Sequence, residues 1–177
     1  TKVLETRNIG TLDSPLRVEN ELPPEIELPK VIELCNKFGI YIKEHNADYL
    51  SEETINWHPR LGIHAANVAP EFGVKETKAF IHILESNNLN YLVSEFIDIA
   101  YASNKWEKWI IKNKKYDRRT LAIICGHYIF SKPEFIELKE KAKKELVKKN
   151  INIDSFLKDA IKESIMRYIK GFNLIKS

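Results

Sequence analysis

Lys43, Glu44, His45, Asn46 and Asp48 crowd a cation, two carboxylates, an imidazole and an amide into one short stretch. His45 beside Asp48 has the make-up of a general base held in one tautomer by a carboxylate. The same imidazole could ligate a divalent metal such as zinc. Glu44 is a second acid or base, and Lys43 admits a Schiff base with a carbonyl substrate. About twenty residues on, Gly62-Ile63-His64-Ala65-Ala66-Asn67-Val68-Ala69-Pro70-Glu71-Phe72-Gly73 brings a second polar set. Asn67 can orient a hydroxyl or carbonyl oxygen, and Glu71 can act as acid, base or hydrogen-bond acceptor. From these residues the expected catalytic groups are Glu44, His45 and Asp48. The expected substrate-binding groups are Lys43, Asn46, Asn67 and Glu71.

The elements around both segments explain how they could meet. Gly39 closes a helix expected over 25–37, and Ile40-Tyr41-Ile42 reads as a strand. Ser51, followed by Glu52 and Glu53, caps a helix that stops near His58-Pro59. Leu61 to Ala66 reads as a second strand, and Lys75 to Glu85 as the helix after a loop shaped by Pro70 and Gly73. Two parallel strands joined through a helix put both polar segments on one sheet edge, where ligands of α/β proteins sit. Amides at the start of the following helix could hold a phosphate, although no GxGxxG or Walker pattern is present.

Downstream the pattern is helical. Helices are expected over 90–102, over 118–128, from Ser131 to about Asn150, and from Asp154 onward. His127 could approach the site from this region or pack in a core; His58 and His82 read as surface or structural. Two strands cannot bury both faces of a parallel sheet, and the chain opens on Thr1-Lys2-Val3 without Met. Together these point to part of a longer polypeptide or to pairing with another chain.

Composition narrows the function classes. The 28 basic and 25 acidic residues leave a net charge of +3, and the lysines of 139–149 alternate with glutamates without interleaved aromatics. That is a solvated helix face, not a nucleic-acid surface. Cys35 and Cys125 form no CxxC pair, which suits buried thiols in a reducing cytoplasm. No apolar run reaches membrane-spanning length.

The segment Lys43-Glu44-His45-Asn46-Ala47-Asp48-Tyr49 resembles the E-A-H-S-T-D-Y segment of the non-catalytic subunit of class II D-tagatose-bisphosphate aldolase. Leu61 to Glu76 lies where that family has L-K-V-G-P-x-L-T-F. Lys105-Trp106-Glu107-Lys108-Trp109 is similar to its W-x-x-Y-Y stretch, and Ser164-Ile165-Met166-Arg167-Tyr168 to its D-R-I-R-Y-Y. Order and approximate spacing agree over most of residues 39 to 170. Asn46-Ala47 and His64-Ala65-Ala66-Asn67 depart from the family pattern, which suits a branch acting on another phosphorylated sugar.

The resemblance implies the C-terminal part of a (β/α)8 barrel over 1–88, followed by an α-helical extension over 89–177. It also implies a cytoplasmic role in carbohydrate catabolism beside a zinc-dependent aldolase subunit. Three readings follow: a sugar-phosphate aldolase-family protein, catalytic or supporting; an interaction subunit with a vestigial pocket; or a phosphosugar isomerase or epimerase.

Overall fold

A computed structural model describes residues 24–45, 47–110 and 115–175. Among these residues seven α-helices and two short strands follow one another in the order α1 (Pro24–Phe38), β1 (Lys43–Glu44), α2 (Glu52–Arg60), β2 (Ala65–Ala66), α3 (Pro70–Glu85), α4 (Asn90–Ala102), α5 (Arg118–Cys125), α6 (Pro133–Val147) and α7 (Ile153–Gly171). The strands pair in parallel with Lys43 opposite Ala65 and Glu44 opposite Ala66, and they are the only strands among the described residues.

The expected barrel is therefore corrected: the described residues are mostly α, with one two-stranded sheet and no (β/α)8 architecture among them. The physical reason lies in the downstream helices. They do not cover further strands but bury a core of their own, in which Phe80, Phe96 and Phe135 contact one another with ring centroids 5.2–6.0 Å apart. Leu138, Leu146 and Ile153 complete it without exposed surface. Cys125 is buried there and Cys35 is buried on α1.

The chain divides into two compact units. One joins Thr1–Glu71 to Ile165–Ser177; the other is Phe72–Ser164. The first holds the sheet, α1, α2 and the last turns of α7. The second is the helical core.

The helix ends follow from local chemistry. Ser51 Oγ accepts from Thr54 N at 3.1 Å and caps α2 as expected. Several helices close through a residue in the left-handed region, with the next amide bonding back to a carbonyl five residues earlier. Gly39 (φ +64°) does this for α1 through Ile40 N to Cys35 O, and Asn150 (φ +60°) for α6 through Ile151 N to Leu146 O. Two helix starts differ from the expected ones. Asn152 Oδ1, not Asp154, accepts from Ser155 N, and Lys132 rather than Ser131 precedes α6, whose first residue is Pro133.

Candidate functional site

In the sheet unit, β1 turns Lys43 to solvent and Glu44 inward. Glu44 meets His58, which α2 carries one turn beyond Thr54. The His58 Nδ1 lies 2.7 Å from the Thr54 carbonyl oxygen, and its Nε2 bonds the Glu44 carboxylate. A carbonyl oxygen only accepts, so Nδ1 carries a proton and donates. Nε2, when protonated, donates to the carboxylate as part of an imidazolium. Burial by itself would lower the His58 pKa, but the hydrogen bonds to Glu44 and Thr54 and the Glu44 charge outweigh it and raise it. His58, 2% exposed, is therefore a buried ion-pair partner with both ring nitrogens engaged.

The loop after β1 is bound as closely. Asp48 is 3% exposed, and its Oδ1 accepts from Ala69 N (3.1 Å) and Glu71 N (2.9 Å). It thus caps α3 from more than twenty residues away in sequence, supplying an acceptor to amides with no intrahelical partner. Burial raises the Asp48 pKa; those two amides pull it down and the Glu71 charge pushes it up, leaving it above the ordinary value.

Glu71, at the start of α3, is the hub. Its carboxylate accepts from Tyr49 N, from the Tyr168 hydroxyl and from the Arg167 guanidinium at 2.8 Å. Arg167 also donates to the Leu50 carbonyl at 2.8 Å and to Glu52 at 3.2 Å. Tyr49 sits at φ +62°, which is costly for an aromatic residue and persists only where the surroundings fix it. Burial, then the bond to Glu71, pushes the Tyr168 phenol well up, so it donates and stays protonated. Burial disfavours the Arg167 charge, but Glu71 more than restores it.

The expected site residues separate accordingly. Glu44, Asp48 and Glu71 are drawn into these bonds. Lys43, His45 and Asn67 are exposed, and Asn46 lies outside the described residues. Asn67 contributes its backbone, accepting from Ala47 N at 2.7 Å and donating to Glu44 O at 3.1 Å. No group of three or more His, Cys, Asp or Glu among the described residues could hold a metal ion. His45, the imidazole considered as a metal ligand, faces solvent, while its neighbour Glu44 turns to His58. Arg167 and Tyr168 were given no role from sequence, although they form part of the fourth resemblance motif; their only signal was that position. The partnership of His58 with Glu44 carried no local signal at all.

A cleft of about 350 Å³ lies over His58, walled by Ile63, Ala65, Ala66 and Phe172 and flanked by His64, whose Nδ1 accepts from Ile42 N at 3.4 Å. In the helical unit, His127 is packed against the backbone of Gly73, where a Cβ would come within 2.5 Å of the imidazole ring. Comparisons with protein-family models, with curated proteins and with solved structures return no match. No helix among the described residues is long and apolar enough to cross a membrane.

Proposed function

We propose that this protein is an accessory rather than a catalytic component of sugar-phosphate breakdown, supporting a class II tagatose-bisphosphate aldolase subunit as its sequence resemblance implies. One observation carries the choice between supporting and catalytic roles. The buried acid and base groups in and between the two polar segments are engaged as struts: His58 through both nitrogens, Asp48 by two amides, and Glu71 by three donors. A general acid or base needs a proton-accepting or proton-donating atom within reach of substrate. In these buried groups those atoms face the protein.

The same bonds join residues from three of the four motifs. Asp48 comes from the first motif, Glu71 from the second, and Arg167 and Tyr168 from the fourth; the four residues bond one another across nearly the length of the described chain.

Two measurements test the reading. The purified protein, with added divalent metal, is assayed for cleavage of ketose bisphosphates, alone and as Glu44→Gln and His45→Ala. It is then titrated into a purified class II tagatose-bisphosphate aldolase catalytic subunit, and that subunit's rate and thermal inactivation half-life are followed. The expected result is no cleavage alone and a faster or longer-lived partner. Cleavage by the protein alone that disappears in both variants would establish catalysis and sink the proposal.

A further inference from the structure

A groove of about 510 Å³ runs between α3 and the first half of α7, wholly within the helical unit. The two helices meet along it in rungs. At one end Lys75 pairs with Glu163 at 3.2 Å. At the other the rings of His82 and Phe156 lie with centroids 6.5 Å apart and planes 27° apart. Residues three or four apart share a helix face, so the rung between these two falls to Ala79 and Ala160. Two methyl groups do not fill the space that larger side chains would, and the groove opens there. Its volume is that of a small-molecule site.

The two walls are charged in opposite senses. Lys75 and Lys78, at i and i+3, line the α3 side; Asp159 and Glu163, at i and i+4, line the α7 side. Lys75 and Glu163 satisfy each other. Lys78 and Asp159 are exposed and form no ion pair with a described residue, although both border the same groove. A floor of two alanines, a pair of rings at one end and a separated cation and anion at the sides therefore define what fits.

We propose that this groove binds a free aromatic amino acid as its zwitterion. The ligand ring lies over Ala79 and Ala160 against Phe156 and His82, its carboxylate meets Lys78 and its ammonium meets Asp159. Other ligand classes meet a conflict. A phosphate or dicarboxylate would set its charge against Asp159 and Glu163, and a polyamine against Lys75 and Lys78. A docked helix needs anchors over about two turns, whereas the ion pair and the ring pair close this groove one rung to either side. The proposal is independent of the accessory role in sugar-phosphate breakdown.

The test uses the whole protein and calorimetric titration with L-phenylalanine, L-tyrosine and L-tryptophan, each alone. Binding of at least one at millimolar concentration is expected, with none for glycine, which lacks the ring. Two analogues separate the charges: phenethylamine has no carboxylate and 3-phenylpropionate no ammonium. Each is expected to bind wild type about threefold to tenfold more weakly than L-phenylalanine. Lys78→Met should narrow the preference over phenethylamine only, and Asp159→Asn the preference over 3-phenylpropionate only. A general disturbance of the fold would not separate the two analogues in this way.

Ala160→Leu should fill the middle rung and weaken amino-acid binding by at least about tenfold. Should that variant fail to fold by circular dichroism, the Lys78 and Asp159 variants, both changed at exposed side chains, decide the matter. Absence of binding of all three amino acids to wild type would overturn the proposal. So would binding that a folded Ala160→Leu leaves intact, or analogue preferences that neither charge variant moves.

Discussion

The helical unit should lose stability in acid through a single imidazole, His127. Burial, followed by the nearby Lys108 charge, pushes its pKa down from 6.5 to about 4. Its Nδ1 is buried without a hydrogen-bond partner, so no neighbouring acceptor rewards the charged form. The unfolded chain binds this proton near pH 6.5, whereas the folded chain resists it until about pH 4. Stability linked to His127 is thus present at neutral pH and lost as pH falls through that window. The full shift corresponds to about 3 kcal/mol, at about 1.4 kcal/mol per unit. Because the ring is half-buried and partly screened by solvent, about 2–3 kcal/mol is the working figure.

The perturbation that isolates this effect is His127→Phe. It keeps a ring on Gly73 and beside Tyr128, whose centroid lies 4.1 Å from the imidazole, while removing the titrating group. A near-isosteric change of this kind should cost within about 1 kcal/mol at neutral pH. Urea unfolding followed by tryptophan fluorescence in a Trp57→Phe background reports on this unit, because Trp106 and Trp109 are then the only tryptophans left. The wild type is expected to lose about 2–3 kcal/mol more than the variant between about pH 7 and pH 4. A difference between the two proteins that stays constant over that range would refute the reasoning.

Three further outcomes follow from the same geometry. His58 has a raised pKa, so its contribution is complete below about pH 6.5 and fades as pH rises through its folded value; the stability advantage of wild type over Glu44→Gln, read by urea unfolding, should shrink as pH rises above about 6.5. Glu71→Ala leaves Tyr49 N, the Tyr168 hydroxyl and Arg167 without their shared acceptor and should destabilise the sheet unit by about 3–5 kcal/mol, more than Arg167→Ala, as followed by Trp57 fluorescence. Gly126→Ala would set a Cβ 2.6 Å from Thr77 Cγ2 and 2.7 Å from Phe96 Cζ in a filled core, costing about 1–3 kcal/mol and lowering the thermal midpoint.

Local chemistry was legible in the sequence; long-range pairing was not. Gly39 and Ser51 announced their helix ends because a left-handed closing residue and a side-chain cap are set within a few residues. The strands are a different case. Ile40-Tyr41-Ile42 has the apolar, branched character of a strand, yet the ladder forms at Lys43–Glu44 and Ala65–Ala66, while Tyr41 is 84% exposed. Where a strand begins depends on the partner that meets it, which lies beyond any short window. Pro70 to Gly73 read as a loop for a related reason. Pro70 is in fact the first residue of α3, a position that suits proline, and the side-chain acceptor for the next amide is the distant Asp48. The barrel failed on burial: the periodicity of α3 to α6 is that of helices covering something, and what they cover is one another.

The density of ionisable groups in 43–48 and 62–73 was real, but density alone does not distinguish a site from a joint. The distinction lies in where the polar atoms end up. A catalytic carboxylate or imidazole keeps one atom directed at a substrate and has its other atoms held by the protein. Glu71 instead gives its acceptor capacity to three donors, one being the amide of a residue held at positive φ. That amide explains the cluster. Tyr49 can occupy its costly conformation only if something rewards the amide direction that this conformation creates, and Glu71 does so while Arg167 pins the next carbonyl, that of Leu50. Asp48, immediately before Tyr49, fixes the backbone of Glu71 in return. Each group makes the other's position affordable, so removing either should release the loop and the helix start together.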